Sequence, residues 1–355
     1  MVFFTDEQRM IQETVGKLAR EKIAHLAGAA DQAGRSSPEV LQLLKDNGLL
    51  KISLPERYGG IGADHTTIAA VIEEMAKVDA STAMIIFATQ TLIMVLRKWG
   101  TEGQKESFFG RMSPGDKVNA FSLTEPNHGS ESASIQTRAV LDRDSYVVNG
   151  TKIFVTNGDI ADFVLLFVRT GEGERHKGLS ALVVEKDMNG FSVGKHEDKV
   201  GLRGSDLAEL VFQDARVPRE NLVGEPGKAW HILTTTAADM RAYGPGAMAV
   251  GLAQGALDYA VSYARLRVQF GVPISRHQGI RFMLADMSIQ IEAARSLLYR
   301  TTKFLDSDPP DRNKRSRLTS AAKCFASDVA MRVTVDAVQV LGATESSRTI
   351  PSKGR

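Results

Sequence analysis

Three stretches of the 355-residue chain gather side chains suited to chemistry. Residues 121–130 read Phe-Ser-Leu-Thr-Glu-Pro-Asn-His-Gly-Ser. The hydroxyls of Thr124 and Ser130 stand on a backbone shaped by Pro126 and Gly129, and such a loop can hold a polar heterocycle or a phosphate. The same letters suit a turn at the entry to a domain. Phe154-Val155-Thr156-Asn157-Gly158 offers an aromatic face and a hydroxyl beside a turn, enough to seat a flat ring, or simply a strand that ends. Arg265, Arg267, Gln269 and Phe270 precede Gly271 and Pro273, with His277-Gln278 soon after. Basic residues there complement the end of a helix or bind a pyrophosphate.

Other chemistries are disfavoured by what the sequence lacks. It contains no Gly-x-Gly-x-x-Gly fingerprint, no Walker loop and no Gly-x-Ser-x-Gly elbow. No second histidine stands at metal-ligand spacing from His277, so no metal is expected. The single cysteine, Cys324, excludes an intramolecular disulfide and a multi-thiolate zinc site, and is expected to be a small core residue on a helix. Lys and Arg total 44 against 42 for Asp and Glu, a balance without the basic excess of a nucleic-acid binder. With no run of 18 apolar residues, no membrane association is expected. The N-terminus turns acidic at Asp6-Glu7 rather than forming a cationic leader, so a cytoplasmic location is expected.

The elements that must position these residues come in the order helices, sheet, helices, an α+β chain. An N-terminal helical domain is expected over 1–118, a central β-sandwich or barrel-like domain over 119–225, and a C-terminal helical bundle over 226–355. Thr5 and Gln8 form a capping box, Pro38 opens a short helix, and 66–98 is helical with a break near Asp79. Val147 to Val155 reads as two strands around Asn149-Gly150, a hairpin signal. The apolar runs 163–168 and 181–184 suit strands buried on both faces. Leu284, Met287, Ile291, Ala294 and Leu298 form one helical stripe, and Phe325, Val329, Val333, Ala337 and Val340 another. Residues 307–315 connect these helices, and the cluster Arg312, Lys314, Arg315 and Arg317 is expected on a solvated face.

Taken together and in order, these segments resemble the acyl-CoA dehydrogenase family over nearly the whole chain. The resemblance is carried by Leu123-Thr124-Glu125-Pro126 with Gly129-Ser130, by Gly150 to Gly158 and by Gly251-Leu252-Ala253-Gln254. It continues through Arg267-Val268-Gln269-Phe270-Gly271 with His277-Gln278, and Asp336 to Gly342. It implies bound FAD, an acyl-CoA substrate, loss of a proton from the α carbon with hydride transfer to flavin N5, and electron delivery to an electron-transfer flavoprotein. The loop with Phe121, Leu123 and Thr124 would cover the flavin pyrimidine, and Ser130 would touch flavin and CoA. Phe154, Val155 and Thr156 would flank the ring, with Phe154 where many relatives carry tryptophan. Arg267, Phe270, Gln278 and the segment Gln339 to Gly342 would hold the adenosine and pyrophosphate. That half is shared across a subunit contact in the family, which implies a homodimer or homotetramer.

Two departures from the family pattern follow. Asp239 and Arg241 fall where relatives contact substrate, but the alternative position for the family's glutamate base falls on Arg241 or Met240, neither of which accepts a proton at neutral pH. The usual base lies in a segment beyond Gly342, where this chain reads differently, as a reading-frame shift at Ala343 would produce. The catalytic residue is therefore unassigned, and a flavin-binding homologue without dehydrogenase activity, or an inactive truncated product, is the alternative expectation.

Overall fold

Capping chemistry starts the helices where the sequence places them. The Thr5 hydroxyl accepts from the Gln8 amide while the Gln8 side chain accepts from the Thr5 amide. Asp64 caps a later helix by accepting from the Thr67 amide at 2.7 Å. The computed structural model describes residues 4–172, 175–308 and 310–342. Among these the helices are α1 (Asp6–Leu18), α2 (Ala24–Ala33), α3 (Pro38–Asp46), α4 (His65–Ala76), α5 (Ala80–Trp99), α6 (Glu102–Met112), α7 (Ala229–Arg241), α8 (Ala247–Leu266), α9 (Gln278–Asp306) and α10 (Arg312–Leu341). The strands are β1 (Asn119–Ser122), β2 (Arg138–Asp142), β3 (Ser145–Thr156), β4 (Phe163–Arg169), β5 (Leu179–Glu185), β6 (Phe191–His196), β7 (Leu207–Pro218), β8 (Leu222–Val223), β9 (Val268–Gln269) and β10 (Val272–Pro273). Helix α5 is long and apolar enough to cross a membrane, but 83% of its apolar window is buried in the protein, as in a core helix.

Packing groups the chain into two units that cut across the linear order. One draws its described residues from Met1–Ala29, Asp64–Ala83 and Ala238–Arg355, the other from Ala30–Ala63 and Met84–Ala237. In the first unit α8, α9 and α10 pack on one another, and α8 and α9 pack on α4. Gly251 and Gly255, one turn apart on α8, permit close approach. A Cβ on Gly251 would sit 2.4 Å from the Glu73 carbonyl oxygen, and one on Gly255 would sit 2.2 Å from that of Lys77. The Gly251–Gln254 motif is therefore a packing element in this unit. Met287, Ile291, Ala294 and Leu298 on α9 are buried, as the stripe predicts.

On α10 the buried set is Leu318, Ala322, Ala326, Val329, Ala330, Val333, Ala337 and Val340, while Phe325 is exposed. The stripe is offset by one residue at its start. Cys324, expected in the core, is exposed for the same reason: it precedes the buried register at Ala326 by two residues. Arg315, expected on a solvated face, is buried, with Nε 2.8 Å from Asp239 Oδ1 and Nη2 donating to Asp308. The connecting loop ends earlier than expected, because Asp311 caps α10 by accepting from the Lys314 amide.

The second unit is built on one sheet in the order β6-β7-β3-β2-β4-β5-β8, with β1 parallel to β4. Residues of β4 alternate between two cores. Phe163, Leu165 and Phe167 enter one that includes Leu92, Phe108 and Leu233, and Val164, Leu166 and Val168 enter another with Val148, Leu210 and Phe212. That two-sided burial is why the run reads as continuously apolar. The Asn149-Gly150 hairpin does not form. The turn falls at Arg143-Asp144, with Arg143 at φ 56°, and β3 runs unbroken through Gly150. Gly150, at φ 147°, marks a bulge against β7, where a Cβ would lie 2.6 Å from the Thr137 hydroxyl. Asn149 and Asp214 bond each other across it.

Candidate functional site: two half-sites

The second unit assembles the residues expected around a flat ring. Phe121 ends β1 packed against Phe167, with ring centroids 5.4 Å apart, and Leu123 packs on the same core. Thr124 follows, half-buried, and its carbonyl accepts from the Ile153 amide at 2.9 Å. The loop is thus stitched to β3 just before Phe154. There β3 carries a second bulge, between Lys152 and Val155, that flips the alternation. Val155 points into the core at 1% exposure, whereas Phe154 is 55% exposed. Phe154 sits at φ 55°, a conformation that bulky residues avoid and that structures retain mainly at working sites. A bulge next to a site re-aims a side chain, and here it turns an aromatic face out of the sheet. Thr156 ends the strand half-buried, and the hydroxyls of Thr124 and Thr156 bond to no other described residue. Ser130 is exposed farther along the loop.

Asn157 locks the strand end behind this wall. It is fully buried at φ 63°, and its side-chain amide donates to the carbonyls of Ile85 and Asn119. A left-handed turn followed by a buried amide is what the letters Thr156-Asn157-Gly158 encode.

Sequence reasoning missed the buttress of this wall. Lys152 is fully buried, and its ammonium donates to Glu125 Oε1 at 2.8 Å and to the Leu123 carbonyl at 2.9 Å. Glu125 in turn accepts from the Gln136 amide at 2.6 Å and the Thr137 amide at 2.8 Å. Burial pushes the Lys152 ammonium down to about 8, with Glu125 opposing. Burial also works against ionised Glu125, but the charge and hydrogen bond of Lys152 and the bonds from Thr137 and Gln136 outweigh it and hold its carboxyl below the usual range. The lowered Glu125 is ionised at neutral pH, and Lys152, although burial works against its charge, still lies above neutral. The available signal was a lysine at an inward position of an otherwise apolar strand face.

The first unit places the other expected residues differently. Arg267 follows α8 and leads into the β9–β10 hairpin, whose turn is Phe270-Gly271, at φ 54° and 79°. Two successive left-handed residues make the tight turn that matches strand twist, normally Asn-Gly rather than Phe-Gly. Phe270 is 92% exposed at the tip, its ring edge-on to His277 with centroids 5.9 Å apart. Gln278 begins α9 and is exposed, as are Arg267, Gln339 near the end of α10, and Gly342 at φ 60°. Asp239 is buried and occupied, with Oδ1 against Arg315 and Oδ2 3.9 Å from His65 Nε2, while Arg241 is exposed. His65 and Thr66 at the start of α4 donate through their amides to Asp306. The expected frame shift at Ala343 lies outside the described residues.

One group with metal-ligand spacing occurs among the described residues of the second unit: Asp159, His196 and Asp206. Asp159 Oδ2, His196 and Asp206 already have protein partners, while Asp159 Oδ1 is buried without one among the described residues. Ser36 bonds Asp206 through its amide and hydroxyl, and His196 lies between the Gly34 carbonyl and Asp159, each at 3.2 Å. Burial, then the neighbouring Asp206, pushes the Asp159 carboxyl up.

Comparison with known proteins bears on the family and the fold. Family models match the acyl-CoA dehydrogenase N-terminal domain at residues 5–116, the middle domain at 120–215 and the C-terminal domain at 228–350. The cyclohex-1-ene-1-carbonyl-CoA dehydrogenase of Syntrophus aciditrophicus is 42% identical over 344 residues, 96% of this chain and 81% of that protein. The butyryl-CoA dehydrogenase structure from Megasphaera elsdenii superposes with a TM-score of 0.93 at 38% identity, covering 98% of this chain and 91% of that one. A chain from a structure described as the electron transferring flavoprotein of Acidaminococcus fermentans gives the same TM-score at 39% identity, with 98% and 91% covered. The chain belongs to the acyl-CoA dehydrogenase family.

Proposed function

We propose that the chain binds FAD and oxidises a short-chain acyl-CoA thioester to its α,β-unsaturated product, passing two electrons to an electron-transfer flavoprotein. The observation that carries this reading is Phe154, an aromatic held in a left-handed conformation and turned out of the sheet beside Thr124 and Thr156. The residues fit the group: a flat apolar face, two hydroxyls without protein partners, and main chain already fixed on both sides. Phe154, Thr124 and Thr156 would hold the flavin, which would supply the acceptor for a hydride from the β carbon. Phe154 supplies the wall that excludes water from one face, and Thr124 and Thr156 supply hydrogen bonds to the ring's polar edges. Ser130, exposed on the same loop, is placed for the ring and the CoA arm.

The adenosine and pyrophosphate are assigned to Arg267, Phe270, Gln278 and the segment Gln339 to Gly342. Arg267, Phe270, Gln278, Gln339 and Gly342 are exposed, while Val340 and Leu341 are buried, so this half of the cofactor needs a second surface. Phe282 and Ile289, seven residues apart on α9, and Met331, Val335 and Val338 on α10 are also exposed apolar residues, and support burial in a homodimer or homotetramer.

A specific observation favours a second reading, a flavin protein that does not dehydrogenate: Arg241 and Met240 occupy the alternative base position. The frame shift at Ala343 stays a proposal, since the family match runs on to residue 350; it ends if no single-base insertion in the gene restores the expected family segment. Anaerobic addition of butyryl-CoA to the flavin-loaded chain separates the two functions. Loss of the oxidised flavin bands supports dehydrogenation, and an unchanged spectrum with FAD retained supports the second reading.

A further inference from the structure

We propose that Lys152 and Glu125 are positioning residues that set the spacing of the flavin slot, so that the buried ion pair acts on cofactor affinity and colour and not only on folding. The inference rests on the FAD reading above. Thr124 is bracketed by this pair. On one side Lys152 holds the Leu123 carbonyl, on the other it holds the Glu125 carboxylate, and between them the Ile153 amide holds the Thr124 carbonyl. The residue after Ile153 on β3 is Phe154. A single ammonium therefore joins the loop that carries Thr124 to the strand that carries Phe154 and Thr156.

The pair is over-built for stability alone. A buried ion pair gains little over apolar residues of similar volume, and replacing both members is often neutral or stabilising. What an apolar replacement cannot do is bond the Leu123 carbonyl and the Gln136 and Thr137 amides at once. Those bonds tie the loop backbone at Leu123 and, through Glu125, to Gln136 and Thr137, and a site of this kind tolerates displacements of only about 0.5 Å. Gln136, Thr137 and Gly150 line, with Glu125 and His128, a small open pocket beside the pair.

The test separates position from folding. The variants are Glu125→Gln alone and the double substitution Glu125→Gln with Lys152→Met. Each is followed by apoprotein melting, by equilibrium FAD titration, and by the position and vibronic shape of the visible flavin bands. The expected result is a double variant that melts close to the intact chain but binds FAD at least about tenfold more weakly, with bands shifted toward those of free FAD. Glu125→Gln is expected to lie between the two. Restoring charge with Lys152→Arg against Glu125 is expected to recover part of the affinity. A folded variant with unchanged FAD affinity and spectrum overturns the proposal. So does a set in which no neutralised variant folds, because the pair would then be a folding element. Should the intact chain itself fail to take up FAD, the functional reading fails and this inference falls with it, whereas FAD uptake with unchanged variants overturns this inference alone.

Discussion

Two phenylalanines in this chain share a forbidden backbone conformation and almost nothing else. Phe154, at φ 55°, stands on a central strand with a buried lysine–glutamate pair behind it and a buried asparagine locking the strand end. Phe270, at φ 54°, stands at the tip of a two-residue hairpin, 92% exposed, with only the edge of His277 for company. Strain at Phe154 is over-determined from within its own unit. Among the described residues, strain at Phe270 has no such support within its unit. The difference teaches that the same backbone strain can be braced by buried polar groups or left standing on an exposed tip.

The largest expected effect breaks the buttress of the braced half. Lys152→Met leaves Glu125 buried without its counter-charge and is expected to cost about 3–5 kcal/mol, read as a lowered urea midpoint at unchanged slope. A loss below roughly 1 kcal/mol would mean that water reaches Glu125.

In the first unit a half-buried carboxylate, Asp306, holds the start of α4. Asp306→Ala removes bonds from the His65 and Thr66 amides and the Thr66 hydroxyl, and is expected to cost about 2 kcal/mol with no change in FAD binding. Its carboxyl lies below the ordinary 3.8, since the bonds from His65 and Thr66 outweigh burial. The stabilisation is therefore complete above the unfolded value and lost as pH falls through the lower folded one. A melting temperature of the Asp306→Ala chain that tracks the intact chain at neutral pH would show that the cap carries nothing.

Phe154→Gly sharpens the contrast. Glycine accepts the left-handed position without strain, so the apoprotein is expected to gain about 1 kcal/mol while FAD affinity falls. A gain in both would remove Phe154 from the site. Arg267→Ala on the open half is expected to change apoprotein stability by less than about 0.5 kcal/mol yet weaken FAD binding. The smallest effect is a control: Asp159→Asn relieves repulsion from Asp206 and offers His196 an amide, and is expected to raise stability by about 0.5 kcal/mol at neutral pH without touching FAD affinity.

What the sequence made legible was whatever has a local cause. The capping box at Thr5, proline at the start of α3, the two-faced burial of β4 and the helix end at Arg267 follow from chemistry within a few residues. Asn149-Gly150 misled because the same dipeptide suits a hairpin and a bulge, and only the approach of Thr137 decides between them. Cys324 and Phe325 misled because a helical stripe drifts, so one end of α10 is read a residue out of register. Lys152 was silent for a related reason: a lysine on a strand reads as solvated until Glu125, distant in the chain, is brought to 2.8 Å. Arg315 repeats that lesson with Asp239.

The central claim is that a flavin ring lies against Phe154 between Thr124 and Thr156. Its most direct test is equilibrium titration of the purified apoprotein with FAD, followed through flavin fluorescence and run beside Phe154→Ala. The account predicts saturable quenching in the intact chain and at least about tenfold weaker binding in the variant, with both melting alike. Equal FAD affinity in the two chains, or no uptake by a folded intact chain, would contradict it.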